Sequence, residues 1–160
     1  MKKRRFFLII LLLLTIVLLW RFIPQSAAAV VSLDKNEIDR FELTVSIPEK
    51  DAMKIYTLNS ENIEENLKDE ITELIYNGKY WPIFRNLILT GSKSTEGQGS
   101  IITVILEPAE EETGVSLIYF FYDGKVAVLT DTYNHINLYL TNKVIAENLK
   151  EYITIYGQCE

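Results

Sequence analysis

Residues 115–130 read VSLIYFFYDGKVAVLT, and this stretch decides the fold. Val115–Tyr122 and Lys125–Thr130 are rich in β-branched and aromatic residues, which are typical of strands. Asp123-Gly124 lies between them, and this dipeptide is a strong signal for a tight turn in which glycine accepts a positive φ. The stretch therefore predicts an antiparallel hairpin.

Further strands are predicted on both sides of this hairpin. In Arg40–Ile47 apolar residues alternate with polar ones, and Ile101–Leu106 is apolar and β-branched. The sequence has no helical pattern between most successive strands, as a parallel sheet would require. We expect an α+β fold of mainly antiparallel sheet with two helices, in one domain over residues 40–156.

Two segments predict amphipathic helices, and they share a similar octapeptide. Glu61–Asn77 has apolar residues spaced by three and four, and the segment from Lys143 to about Tyr152 repeats that spacing. The octapeptides ENLKDEIT (65–72) and ENLKEYIT (147–154) are identical at six of eight positions, at an offset of 82 residues. Either a duplication or chance similarity between two amphipathic helices explains the match.

The N-terminus combines a basic cluster with an apolar run. Lys2–Arg5 precedes residues 6–23, in which Arg21 is the only charged residue. As a helix, residues 6–23 would be roughly 27 Å long, close to the ~30 Å hydrocarbon core of a bilayer. We therefore expect a single-pass transmembrane helix over 6–23 that contacts the lipid bilayer as a signal anchor. The positive-inside rule then leaves the basic residues 1–5 in the cytoplasm.

This topology leads to an expectation about location. Residues 24–39 would form a tether that holds the domain outside the cytoplasm, at the cell membrane. The alternative is a secreted protein, in which 6–23 is the core of a signal peptide that is cleaved near Ala29. Both interpretations deliver the domain outside the cytoplasm, and the short architecture suggests a bacterial protein.

The charge beyond the N-terminal segment is strongly negative. The chain has 16 Lys and Arg residues against 22 Asp and Glu residues, and five of the cations but none of the acids precede Pro24. The remaining 11 cations and 22 acids give a net charge of −11. An acidic domain repels nucleic acid and attracts cations. We therefore expect no nucleic-acid partner, and a protein partner outside the cytoplasm.

The residues that carry catalytic chemistry form no recognisable constellation. His135 is the only histidine and Cys159 the only cysteine, which excludes a Cys/His zinc cluster. No G-x-S-x-G motif accompanies His135. We expect no catalytic residue, metal or cofactor, and a non-enzymatic binding or accessory function. The alternative is a small hydrolase that uses His135 or carboxylates.

The candidate interaction surface is aromatic and acidic. Successive rings on a strand point to opposite faces, so Phe120 and Tyr122 share one face, where they would line a ligand groove if no helix covers them. The other candidates are a Tyr-Trp pair in a connection and acidic residues of the first amphipathic helix. Core packing and a solvated surface are the competing interpretations. The candidate residues are Tyr80, Trp81, Phe120, Tyr122, Glu64 and Glu65.

Overall fold

Eight β-strands and four α-helices form within the residues that the structure, a computed structural model, describes. These residues are 2–21, 23–48, 53–83, 100–109, 114–130 and 133–159, with side chains for all except 2–5, 17–21, 130 and 133–135. The helices are α1 (Lys2–Arg21), α2 (Ala27–Val31), α3 (Glu65–Tyr76) and α4 (Lys143–Tyr156). The strands are β1 (Ile38–Pro48), β2 (Met53–Asn59), β3 (Trp81–Pro82), β4 (Ile101–Pro108), β5 (Ser116–Phe121), β6 (Lys125–Thr130), β7 (Tyr133–Leu140) and β8 (Gln158–Cys159).

The strands form one antiparallel sheet in the order β3-β7-β6-β5-β4-β1-β2-β8. Each neighbouring pair is antiparallel, and the fold is therefore α+β. The hairpin predicted around Asp123-Gly124 is confirmed, because β5 pairs with β6 and Gly124 adopts a φ of +83°. That conformation is strained for residues with a side chain, which explains the glycine.

The strand order is symmetric about its centre. Counting inward from the two edges, β3 corresponds to β8, β7 to β2, β6 to β1 and β5 to β4. The chain therefore contains two similar units, β1-β2-α3-β3 and β6-β7-α4-β8. Both units are a hairpin, then a helix, then a two-residue strand, and the similar octapeptides lie on the two helices. This agreement favours duplication over chance as the origin of the match.

The two units interlock at the edges of the sheet. The last strand of the first unit, β3, pairs with β7 of the second unit through Trp81 and Leu140. The last strand of the second unit, β8, pairs with β2 of the first unit through Cys159 and Tyr56. Each unit therefore completes the sheet of the other, and the pairing depends on contacts that are distant in sequence.

The core lies between one face of the sheet and a layer of three helices. α4 packs on β1, β2, β4 and β5, whereas α2 packs on β5 and β6, and α3 contacts both of these helices. Ile71 of α3 and Ile153 of α4 occupy corresponding positions in the two octapeptides, and both are fully buried. An amphipathic helix is stabilised mainly by burying its apolar face, so these contacts determine where α3 and α4 lie.

The segment predicted to be a tether contributes to the core. Ala27, Val30 and Val31 of α2 are 0–4% exposed. The Ser116 hydroxyl of β5 donates a 2.9 Å hydrogen bond to the Val31 carbonyl oxygen. Just before α2, residue 25 forms an antiparallel bridge with residue 80 through two backbone hydrogen bonds of 2.8 and 3.1 Å. Small residues suit this segment because α2 packs closely on the sheet.

The N-terminal helix corrects the membrane prediction. α1 ends at Arg21, and its uncharged stretch is limited to Phe6–Trp20. These fifteen residues form about 22 Å of helix, whereas the hydrocarbon core is about 30 Å thick. No helix among the described residues is long and apolar enough to cross a membrane. The predictions of a transmembrane helix over 6–23 and of a single-pass, signal-anchored membrane protein are therefore wrong, because they counted residues beyond the end of the helix.

The packing of α2 predicts that a chain beginning at Val30 is less stable than one beginning at Pro24. Both lack α1, so the comparison isolates residues 24–29. Loss of the buried Ala27 and of the bridge to Tyr80 costs at least about 2 kcal/mol of unfolding free energy. Urea unfolding of the two purified proteins measures this difference. Equal midpoints with equal slopes would contradict the role of α2 in the core.

Candidate functional site

A groove of about 580 Å³ lies on the surface between α3 and α4. We call it the interhelical groove; its lining residues lie within 70–81, from α3 to β3, and within 142–152, at the start of α4 and along it. Its volume is in the range of small-ligand sites. The two amphipathic helices create it, since α3 packs against α4 and residues of both helices line the groove.

The helices approach each other closely at one end of the groove. A Cβ atom added to Gly78, just after α3, would lie 2.9 Å from Ile145 Cδ1, 2.9 Å from the Ile75 carbonyl oxygen and 2.9 Å from Tyr80 Oη. Such contacts are too short for any real side chain. Glycine at this position therefore permits the end of α3 to pack against the start of α4.

A hydrogen bond between the helices crosses the groove. The Tyr152 hydroxyl of α4 donates to Glu70 Oε1 of α3 at 2.6 Å. These two residues occupy the same position in the two octapeptides. The bond to the Glu70 carboxylate is the main reason why the pKa of Tyr152 is raised to about 12, with desolvation as a smaller cause. The Glu70 carboxylate thus links α3 to α4 across the groove.

The remaining polar groups differ between the two walls. Glu73, one turn after Glu70 on α3, accepts a 3.2 Å contact from the Lys35 ammonium, and both side chains of this pair are partly or largely exposed. Lys79 also lines the α3 wall. Amides line both sides, with Asn77 directly after α3 and with Asn142 and Asn148 on the α4 side, which has no charged residue among the described ones that line it. The walls therefore offer carboxylates, ammonium groups and amides that can both donate and accept.

Apolar surface in the groove is exposed to solvent. Trp81 is 39% exposed and Val144 is 43% exposed. Leu74 of α3 also lines the groove and is half-buried. An exposed indole beside aliphatic side chains and fixed polar groups is the composition expected of a recognition surface.

The structure separates the residues that the sequence proposed as an interaction surface. Of these, Trp81 alone lines the interhelical groove. Tyr80 is 1% exposed, and its hydroxyl donates a 2.9 Å hydrogen bond to the Ile75 carbonyl oxygen. Its ring packs edge-on against Tyr139 at 6.4 Å. Tyr80 therefore belongs to the core beneath the groove, and its burial raises the pKa of its hydroxyl.

The other four candidates lie elsewhere. Phe120 is 1% exposed and packs in the core. Tyr122 lies under Lys150 of α4, with the ammonium 5.1 Å from the ring centroid. Glu64 and Glu65 are exposed at the start of α3, and neither lines the groove. Phe120 and Tyr122 thus do not line a groove on an uncovered sheet face.

The sequence analysis offered the acidic residues of the first amphipathic helix as candidates but selected Glu64 and Glu65, not Glu70 and Glu73, and it did not select Tyr152. The octapeptides could have drawn attention to Glu70 and Tyr152. These two residues occupy one of the two positions at which the octapeptides differ. The contact itself depends on how the helices pack, which no local pattern reveals.

The alternative enzymatic interpretation rests on residues that the structure describes only in part. His135 lies in β7, but its side chain is not among those that the structure describes. Within the described part of the chain, no group of three or more His, Cys, Asp or Glu residues is placed to hold a metal ion. Comparisons with protein-family models, curated proteins and solved structures find no match to this chain.

The bond between Tyr152 and Glu70 predicts a stability change at alkaline pH. The native pKa lies above the value of about 10 for an unfolded tyrosine, so the stabilisation is complete below pH ~10. It is lost as the pH rises through about 12, where the native hydroxyl ionises. ¹³C NMR titration of the Tyr152 ring should give a pKa nearer 10 in Glu70→Gln. Glu64→Gln is the matched control and should leave it unchanged; an unaltered pKa in Glu70→Gln would refute the bond.

Proposed function

We propose that this chain is a non-enzymatic binding domain that receives a segment of a protein partner in the interhelical groove. The single observation that carries the proposal is the coincidence of exposed indole and aliphatic surface with carboxylate and amide groups in one groove. Residues of this kind, at the centre of a concave surface, contribute most of the binding energy in known interfaces.

The groove can hold an extended or helical segment in a defined orientation. The Asn148 amide can donate to and accept from a partner backbone, whereas Asn142, whose Oδ1 accepts the Val144 backbone N–H at 3.1 Å, offers its N–H donors. Trp81 and Val144 supply apolar surface that a partner side chain can cover. A partner residue that covers both gains the free energy of removing apolar surface from water, about 25 cal/mol per Å².

The acid–base chemistry of the groove favours binding over catalysis. A general acid or base works best with a pKa near the working pH. The pKa of Tyr152 is instead moved away from neutrality, to about 12, by its bond to Glu70. Both groups act in this proposal as fixed recognition elements.

We also propose that the domain acts outside the cytoplasm. A basic cluster at Lys2–Arg5 followed by the apolar Phe6–Trp20 is typical of export signals. Cleavage near Ala29, as in the secreted alternative, would remove Ala27 from the core. A processed form that keeps the described packing therefore begins before Ala27.

The groove proposal predicts site-specific crosslinking. A photo-reactive benzoylphenylalanine at Val144, inside the groove, should give a discrete adduct with a partner protein in cells that express the chain natively. The same residue at Ile136 of β7, which is 61% exposed, is the matched control and should give none. A second substitution, Asn148→Trp, fills the groove and should abolish the adduct.

Two results would contradict the proposal. One is an adduct from Ile136 with none from Val144, since the partner would then bind elsewhere. The other is an adduct at Val144 that persists after the groove is filled, because the crosslink would then not report on occupancy of the groove.

A further inference from the structure

We infer that the groove takes a basic segment, whose lysine or arginine side chain lies between the α3 carboxylates and Trp81. This inference rests on the proposed function and specifies the chemistry of the partner. It depends on the carboxylates in the groove, on the exposed Trp81 indole and on the charge of the domain.

The carboxylates of α3 lie together in the groove. Glu70 and Glu73 are three residues apart on α3, so they lie on the same face of the helix, and both line the groove. A smaller depression of about 260 Å³ adjoins the groove, shares Asn148 and Tyr152 with it, and is lined by Glu151. One further carboxylate, that of Glu151 on α4, therefore lies next to the groove.

The indole of Trp81 is suited to contact a cation. A cation over the face of tryptophan is attracted by the ring quadrupole, and tryptophan is the best of the aromatic side chains in this role. Trp81 is 39% exposed within the groove, so its ring is accessible to a partner side chain. The aliphatic stem of lysine or arginine packs well on apolar groups such as Leu74 and Val144.

Two lysines of the chain itself compete with a partner cation for the groove. Lys79 lines the groove, and Lys35 contacts Glu73 at 3.2 Å. The contact with Lys35 is exposed, and exposed ion pairs contribute little to stability because water and salt screen them. A partner cation can therefore displace Lys35 from Glu73 at small cost.

The net negative charge of the domain also favours a basic partner. Residues after Pro24 carry a net charge of −11. Such a charge raises the association rate of a basic partner and opposes the approach of an acidic one. Among partner chemistries, the domain charge and the groove carboxylates both favour a basic segment.

The test uses the full chain with Trp20→Phe, because Trp20 and Trp81 are its two tryptophans. The fluorescence of Trp81 then reports on the groove. The probes are capped tetralysine and the same peptide with every lysine acetylated, which keeps the stems and removes the charge. Tetralysine should change the emission saturably, and its dissociation constant should be at least about tenfold lower than that of the acetylated peptide.

Substitutions locate the binding. Glu70→Gln and Glu73→Gln should each raise the dissociation constant of tetralysine by about threefold or more. Glu107→Gln removes the same charge from an exposed position on β4 and should change it less than about twofold. Circular dichroism of each variant checks that the fold is retained.

The outcomes separate this inference from the proposed function. Equal affinity for the two peptides overturns the inference but leaves the groove as a binding site. Tetralysine binding that responds to Glu107→Gln as strongly as to the groove variants also overturns it, because the charge effect is then not local. If neither peptide changes the emission, the inference is wrong, and loss of the Val144 adduct as well would refute the proposed function.

Discussion

The burial of one apolar stripe from each of two matching helices in a single shared core is the interaction on which the rest of the structure depends. Ile71 and Ile153 mark the centres of these stripes, and both are fully buried. Helices of this length are not stable alone in water. Their packing into this core therefore fixes their positions, α4 against the sheet and α3 against α2 and α4.

The interlocking of the two units follows from this arrangement. After each helix the chain reaches an edge of the sheet and adds a two-residue strand, β3 at one edge and β8 at the other. Two-residue strands have too few hydrogen bonds to be stable by themselves. They are held because the preceding helix is packed, and they shorten the exposed edges that invite unwanted pairing. The groove lies where the two helices meet, close to the contact between Glu70 and Tyr152.

Much of this fold could be predicted from the sequence, since local patterns determine it. The turn at Gly124 and the strand patterns gave the antiparallel sheet, and apolar spacing gave α3 and α4. The strand order could not be predicted, because β3 and β8 are too short to carry a pattern. α2 is five residues long and rich in alanine, so it resembled a tether. The membrane prediction was wrong because apolar content alone does not show where a helix ends. The candidate site was only partly predictable: Trp81 was identified, but Glu70 and Tyr152 are brought together by helix packing.

The central claim is that two similar units exchange their last strands and thereby hold α3 and α4 side by side. The most direct test is the measurement of nuclear Overhauser contacts between backbone protons across the sheet edges. The structure predicts contacts between Tyr56 and Cys159 and between Trp81 and Leu140. Contacts of β3 with β2, or of β8 with β7, would show that each unit keeps its own strand and would contradict the claim.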